Sequence, residues 1–273
     1  MRVEDRRSDR PLSVQSGVVL LYLLTGWIAS WPVGAFAQSQ WPDQRRDGEV
    51  LYHANFRLDA HAPLLDELSS LRQEVPRRLG LRPTRGPIHV YLFSNQNVYE
   101  AYLRQYFPGV PYRRALFIKE RGPGMVFAYR SSEFAIDLRH EFTHAILHAN
   151  LPMVPLWLDE GLAEYFEVPI SKRQAQNPHL RSVRWRLRLR QIPDLERLEQ
   201  FSELSEMKRD DYRDAWAWVH FMLNGPQEAQ AELKSYLADV QSHIPPGSLR
   251  LRLQRRLPNL TSDFVQHFES LGD

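Results

Sequence analysis

The stretch that decides the fold is residues 137–167, which read DLRHEFTHAILHANLPMVPLWLDEGLAEYFE. Its first part carries two histidines four positions apart, His140 and His144, with Glu141 directly after the first. Residues four apart on a helix project from one face about one turn apart, so the two imidazoles can hold one metal ion. Glu141 lies beside them and is predicted to act as a base rather than as a ligand.

The pattern around the histidines predicts a helix over residues 137–149. Its polar side, which includes the two histidines, is predicted to face a cleft. His148 continues that side by one turn but lies too far along the axis to share an ion with His140, so we predict that it forms part of the cleft wall. The opposite side is an apolar stripe of Leu138, Phe142, Ala145 and Ala149.

A second helix is predicted over residues 157–167, because Pro152 and Pro155 forbid one continuous helix. If the Pro-rich turn reverses the chain, the two helices run antiparallel and Glu160 reaches the histidines. Two histidines and one glutamate, with a fourth position left for water, are the arrangement of catalytic zinc sites. The sequence therefore predicts that His140, His144 and Glu160 bind one zinc ion per chain.

Glu164 lies one helical turn beyond Glu160 on the same face. We predict that it accepts the second ring N–H of His140 or His144 and thereby fixes the tautomer. The alternative is that this side of the helix is a solvated surface with no functional role. That face would consist of Trp157, Glu160, Glu164 and Glu167.

The rest of the chain predicts an α+β fold, with a small mixed sheet packed on the motif helix and a mostly helical C-terminal part. Gly80 is a plausible helix stop, Ser94-Asn95 a possible helix cap, and Arg121-Gly122-Pro123-Gly124 a hairpin turn at the sheet edge. The predicted strands are residues 49–58, 88–93, 115–119 and 125–129, and further helices are predicted at residues 64–79, 212–223, 229–240 and 262–271.

The first 37 residues are predicted to be a signal peptide. Arg6, Arg7 and Arg10 precede an apolar run over residues 18–31, which is followed by the small-x-small sequence Ala35-Phe36-Ala37. Export to the periplasm or the exterior follows, with no strong membrane association after cleavage, although an uncleaved N-terminal anchor is the alternative. We divide the remainder into a sheet-containing part, residues 38–170, and a helical part, residues 171–273, which completes the cleft.

Composition excludes several function classes. The chain has no cysteine, so disulfides and thiolate chemistry are absent and a metal has to sit on histidines and carboxylates. The net charge of +2 gives no reason to expect nucleic acid as a partner. Five arginines between Arg181 and Arg190 alternate with apolar residues, and we interpret them as a solvated basic face rather than as a site for an anionic ligand.

The motif helix followed by Trp157-Leu158-Asp159-Glu160-Gly161 resembles the gluzincins, and it is similar to the small peptidase-MA-like family of exported bacterial metallopeptidases. The resemblance implies a zincin fold, one zinc ion and Glu160 as the third ligand, and it assigns the carboxylate of Glu164 a supporting role beside the ligands. It also implies that Tyr212, which opens a later helix in the run Tyr212-Arg213-Asp214-Ala215-Trp216, donates a hydrogen bond to the oxyanion. The alternative for Tyr212 is an ordinary tyrosine packed on the core.

Two narrower assignments fail on the sequence. The interval between His144 and Glu160 is shorter than in large aminopeptidases, and no Gly-x-Met-Glu-Asn motif precedes the helix. A metzincin would need Gly and a third His where this chain has Leu147 and Asn150.

The predicted function is zinc-dependent hydrolysis of peptide bonds in a peptide or protein substrate, with Glu141 as the general base. The edge of the hairpin at residues 115–129 is predicted to hold the peptide by strand addition. Two alternatives stay open. One is a non-catalytic exported binding or assembly module that keeps the fold, with or without zinc, and the other is a metal-free domain whose polar groups face solvent.

Overall fold

The computed structural model describes residues 18–19, 40–83, 86–119, 122–173 and 176–271, with the backbone alone described for residues 18–19. Helices pack against a small mixed sheet, which confirms the predicted α+β class. Five strands of four to six residues form the sheet, and a two-residue strand pairs at one edge. The strands are β1 (Val18–Val19), β2 (Asp43–Asp47), β3 (Val50–Ala54), β4 (Ile88–Phe93), β5 (Ala115–Ile118) and β6 (Gly124–Tyr129).

The strands lie in the order β1-β5-β6-β4-β3-β2. The pairs β2–β3 and β5–β6 are antiparallel, whereas β1–β5, β3–β4 and β4–β6 are parallel. The predicted strand at residues 88–93 and the predicted hairpin are therefore confirmed. The strand predicted at residues 49–58 is shorter, and a turn at Gly48, with φ of 57°, joins it to β2. The sequence pattern does not predict β2, because its sequence DQRRD has no apolar alternation.

Most of the described residues outside the sheet are helical. The left-handed Gly80, with φ of 70°, ends α1, and the Asn95 side chain caps α2 by accepting a hydrogen bond from the Val98 backbone N–H, both as predicted. The helices are α1 (Ala62–Leu79), α2 (Gln96–Tyr106), α3 (Phe134–Asn150), α4 (Leu156–Phe166), α5 (Pro178–Arg188), α6 (Leu195–Leu198), α7 (Arg209–Asn224), α8 (Gln227–Gln241), α9 (Leu249–Arg256) and α10 (Leu260–Ser270).

α3, the helix that carries His140 and His144, lies at the centre of the fold, between the sheet and other helices. α3 lies against β5 and β6 on one face of the sheet, with α1 and α4 beside it. α4 in turn packs on α7. On the opposite face of the sheet, α2 covers a separate aromatic cluster that includes Trp41, Phe93 and Tyr99. Because alternate residues of a strand point to opposite faces, the same strands serve both clusters.

α4 and α7 come unusually close at Gly161. A Cβ atom at this position would lie 2.8 Å from the carbonyl oxygen of Ala215 in α7. Only a residue without a side chain fits between the two backbones. This glycine therefore sets the distance between the helix that carries Glu160 and the helix that begins near Tyr212.

The main hydrophobic cluster extends from Val50 in β3 to Phe268 in α10, through both parts that we had divided at residue 170. The predicted signal peptide lies outside the described residues, apart from β1. In β1, Val18 stands opposite Phe117 of β5, and Val19 stands opposite Ile118. Cleavage and export stay predictions. Among the helices that the structure describes, none combines the length and apolar character needed to cross a bilayer.

Candidate metal centre

α3 places the two histidines of the motif side by side, as their spacing predicts. The ring centroids of His140 and His144 are 4.9 Å apart, with an angle of 71° between the rings. Both side chains are fully buried. α4 packs against α3 and covers these two side chains, so neither has exposed surface.

Glu160 of α4 meets the two histidines. Its Oε2 atom lies 3.5 Å from His140 Nε2 and 3.9 Å from His144 Nε2. Glu160 and Glu164 are also buried, as is Trp157, so the alternative of a solvated face on this helix is wrong for these residues. The Pro-rich turn before α4 thus reverses the chain as the sequence predicts.

His140, His144 and Glu160 form a triad whose facing atoms have no hydrogen-bond partner among the described residues. Among the described residues, nothing forms a hydrogen bond with Nε2 of His140, Nε2 of His144 or either carboxylate oxygen of Glu160. A buried polar atom without a partner costs about 1–3 kcal/mol, so several at one point are unusual unless something binds there. One ligand atom from each residue can be chosen so that all lie within 4.8 Å of one another. This buried cluster could hold a metal ion.

The donor atoms suit zinc. Imidazole nitrogen and carboxylate oxygen bind zinc at about 2.0–2.2 Å, and tetrahedral ligands at that distance stand roughly 3.3–3.6 Å apart. The separations of 3.5 and 3.9 Å to Glu160 are close to that value. The residues present therefore fit a zinc ion without a large rearrangement.

The other ring nitrogens contact two carboxylates that the sequence interpretation had not assigned. His140 Nδ1 lies 2.8 Å from Glu167 Oε2, and His144 Nδ1 lies 3.0 Å from Asp159 Oδ1. In a neutral ring that carries its proton on Nδ1, the Nε2 lone pair would face Glu160, which is the tautomer that a metal requires.

The predicted role of Glu164 needs a correction. Its Oε2 atom lies 2.8 Å from Nε2 of His179 in α5, rather than bonding a ring N–H of His140 or His144. The reason is the antiparallel packing of α3 and α4, which brings the end of α4 and Glu167 to His140 instead. No local pattern pointed to His179, because it lies beyond the helix pair.

Asp159 joins two histidines. Besides His144, it contacts His148, whose Nε2 lies 2.9 Å from Asp159 Oδ2. Burial alone would raise the pKa of Asp159, but the charges of His144 and His148 outweigh it and hold this pKa far below its ordinary value. His148, predicted as cleft wall, is thus a buried partner of Asp159. The position of Asp159 directly before Glu160 is the sequence signal that could have identified it.

Glu141 is next to the triad but outside it. It is fully buried, and neither of its oxygens has a hydrogen-bond partner among the described residues. Burial raises the pKa of Glu141 to about 7, although the charges of His140 and His144 act in the opposite direction. A carboxylate with such a pKa can both take up and release a proton near neutral pH.

Tyr212 lies in the first turn of α7 and is buried. Burial raises the pKa of its hydroxyl well above the ordinary range, and the charge of Glu160 raises it further. The hydroxyl therefore stays protonated and can donate a hydrogen bond near the candidate metal centre.

A second set of possible ligands shares His140. It combines this histidine with Glu164 and Glu167. Each of these carboxylates already has a histidine partner at 2.8 Å, so the set is explained without an ion. The triad with Glu160 is the stronger candidate because its facing atoms are unpaired.

The basic segment between Arg181 and Arg190 lies mostly on α5. Arg181, Arg188 and Arg190 are exposed, in agreement with a solvated face, and Arg186 pairs with Asp210 at 3.2 Å.

Comparisons with models of known protein families and with curated proteins find no match.

Proposed function

We propose that the protein is an exported zinc metallopeptidase of the gluzincin type. The observation that carries the proposal is the convergence of His140, His144 and Glu160, with their facing atoms unpaired, beside the buried carboxylate of Glu141. Three further features support a metal site at this point. They are the helical spacing of the two histidines, the antiparallel packing of α4 on α3, and the two carboxylates near the other ring nitrogens. Such agreement is expected of a functional site and is rare in an ordinary core.

The mechanism assigns each side chain a separate task. When bound, zinc supplies Lewis-acid activation of water and of the scissile carbonyl. Glu141 takes the proton of the attacking water and later delivers it to the leaving amine. Tyr212 donates a hydrogen bond to the developing oxyanion. Asp159 and Glu167 hold the rings of His144 and His140 in the required orientation.

The substrate is an extended peptide in this proposal. β5 is the outer strand of the hairpin and packs against α3, so a chain paired along it would run beside the centre. The backbone of β1 already pairs there with Phe117 and Ile118, which supports the idea that this edge accepts an extended segment.

The decisive experiment combines zinc content with turnover. Purified protein is expected to carry about one zinc per chain and to cleave members of an unbiased peptide mixture, with activity lost in chelator. Glu141→Gln should keep the zinc and lose about 10²- to 10⁴-fold in rate, because the base is gone while the ligands remain. His140→Ala should lose the zinc, whereas Glu228→Gln, on the exposed surface of α8, should change neither property. Unchanged turnover in Glu141→Gln would refute the mechanism.

A non-catalytic exported module that binds zinc is the second candidate. The observation that favours it is the complete burial of Glu141, His140 and His144, which leaves no exposed surface on the groups that would react. Stoichiometric zinc without chelator-sensitive cleavage would support this function, and absence of zinc would support a metal-free domain.

A further inference from the structure

Residues 168–193, which include α5, carry an unusual share of the positive charge of the chain. This stretch contains seven lysines and arginines and no aspartate or glutamate. The net charge of the whole chain is only +2, so the remainder of the chain is net acidic. Positive charge is therefore concentrated in one part of the sequence, which is typical of a segment that meets an anionic partner.

The outer face of α5 presents a tryptophan to solvent. Leu180, Val183 and Leu187 are buried and hold the helix on the rest of the protein. Trp185 lies on the opposite face and is 61% exposed, whereas the other tryptophans that the structure describes are at most 7% exposed. So large an apolar side chain forgoes the free energy of burial when it stays in water, which indicates that a partner covers it.

Arginines and a leucine surround Trp185. Residues three and four positions apart on a helix are neighbours, so Arg181 and Arg188 flank the indole along the axis. Leu189, directly after the helix, is 53% exposed. We call this surface the Trp185 patch, and it consists of the four exposed residues Arg181, Trp185, Arg188 and Leu189.

A second arginine-rich helix, α9, shows the difference between structural arginines and those of the patch. Its ion pairs join Arg250 to Glu196, Arg252 to Glu232 and Asp239, and Arg256 to Glu232. On α5, Arg186 pairs with Asp210, but Arg181 and Arg188 have no such pair among the described residues. The charges of α9 are thus largely balanced within the protein, whereas those of the Trp185 patch are directed outward.

We propose that the Trp185 patch docks the protein on a membrane surface that contains anionic phospholipids. Trp185 and Leu189 enter the boundary between headgroups and acyl chains, while the arginines bind the lipid phosphates. The exposed leucine favours lipid over nucleic acid, which offers phosphates and base faces but no hydrocarbon. The sequence alone favours a solvated basic face, because it does not show that Trp185 is uncovered. The contact is peripheral and reversible, since one short helix face covers little area.

The experiment uses the full chain with a single fluorescent label. The chain has no cysteine, so a polarity-sensitive fluorophore can be attached at one introduced thiol. Gln191→Cys places it beside the patch, and Gln254→Cys on α9 is the control, both at exposed positions. Phosphatidylcholine vesicles that contain phosphatidylglycerol should shift the emission of the first label to the blue and leave the second unchanged. Because each label reports its own surroundings, binding by the apolar run in the first 37 residues does not produce this difference.

Substitutions in the chain labelled at position 191 separate charge from insertion. Arg181→Gln combined with Arg188→Gln should weaken the apparent affinity for the anionic vesicles by about 10- to 30-fold, since each arginine near such a surface contributes roughly five-fold. Trp185→Ser should weaken it by about 10-fold, because the inserted ring is lost. Arg255→Gln and Leu251→Ser, at exposed positions of α9, should leave the affinity unchanged.

The inference is overturned if the label at position 191 shows no shift, or if vesicles of phosphatidylcholine alone shift it equally. Equal shifts at both labels would indicate non-specific adsorption and would also overturn it. A shift caused by a duplex oligonucleotide but by neither vesicle would assign the Trp185 patch to nucleic acid instead. The measurement needs neither zinc nor turnover, so its outcome is independent of the peptidase proposal.

Discussion

At the scale of single residues, the candidate centre is organised by carboxylates that hold the far side of each imidazole. Asp159 and Glu167 lie against opposite ends of the histidine pair, at 3.0 Å from His144 and 2.8 Å from His140. In the proposed zinc site, carboxylates in such positions would favour a proton on Nδ1 and would thereby raise the metal affinity of Nε2.

We predict that Asp159→Asn lowers zinc affinity by about 10- to 100-fold while the chain stays folded. Asp159 faces two histidines, and an amide can accept a hydrogen bond through only one of its two atoms, so it cannot replace both contacts. Competition with a chromogenic chelator measures the affinity. Asp66→Asn, an exposed position on α1, is the control. Equal affinities for Asp159→Asn and the native chain would show that Asp159 does not orient His144.

The sequence predicts the three candidate ligands, His140, His144 and Glu160. It does not predict which carboxylates contact the two histidine rings. Helix spacing determines that His140 and His144 share a face, and the Pro-rich turn makes the return of Glu160 plausible. Which of Glu164 and Glu167 reaches His140 depends on the rotation of α4 about its own axis. That rotation is set by tertiary packing, including contacts with α5 and α7, and the local pattern carries no information on it.

At the scale of elements, the distance between α4 and α7 relates the predicted ligand Glu160 to the predicted oxyanion donor Tyr212. Gly161 permits this distance, since its missing Cβ would stand 2.8 Å from the Ala215 carbonyl oxygen and 2.9 Å from a methyl group of Val219. A glycine inside a helix ordinarily destabilises it relative to alanine, so its presence here reflects packing rather than propensity.

Gly161→Ala is expected to destabilise the protein by roughly 1–3 kcal/mol, because one of the two backbones has to move. The same displacement should lower zinc affinity, since Glu160 is the adjacent residue. Denaturant unfolding gives the free energy, and chelator competition gives the affinity. Gly109→Ala, where nothing lies within 4 Å of the added Cβ, should change neither quantity. If the two variants are equally stable, the helices are not in the close contact described.

Elements with regular apolar patterns were predictable, and those without them were not. β4 and the β5–β6 hairpin alternate or are apolar throughout, and both were predicted. β2 is polar on both faces, with three of its five residues exposed, so it has no signal beyond the turn at Gly48. Its place in the sheet comes from pairing with β3, which only the folded chain reveals.

At the scale of the whole molecule, part of the predicted signal peptide occupies the sheet edge that is proposed to bind the substrate. β5 would be the free outer strand of the hairpin, but the backbone of Val18–Val19 pairs with it in parallel. An edge strand has one row of open hydrogen-bonding groups, so two segments cannot pair with the same residues at once. If peptides bind along β5, the signal-peptide segment Val18–Val19 and the substrate compete for the backbone of Phe117 and Ile118.

Removal of residues 1–37 is therefore expected to lower KM for peptide substrates relative to the full chain, with little change in kcat, because the competing segment is gone while the centre is untouched. Steady-state kinetics on one cleavable peptide, with both forms loaded with zinc, measures the effect. Val19→Pro in the full chain is a sharper probe, since proline lacks the N–H that a ladder needs and keeps the chain length unchanged. It should shift KM toward the value of the shortened form. Identical KM values in the three proteins would show that the substrate does not bind along the β5 edge. The role of the metal centre would be unaffected by that result, because Glu141→Gln tests it independently.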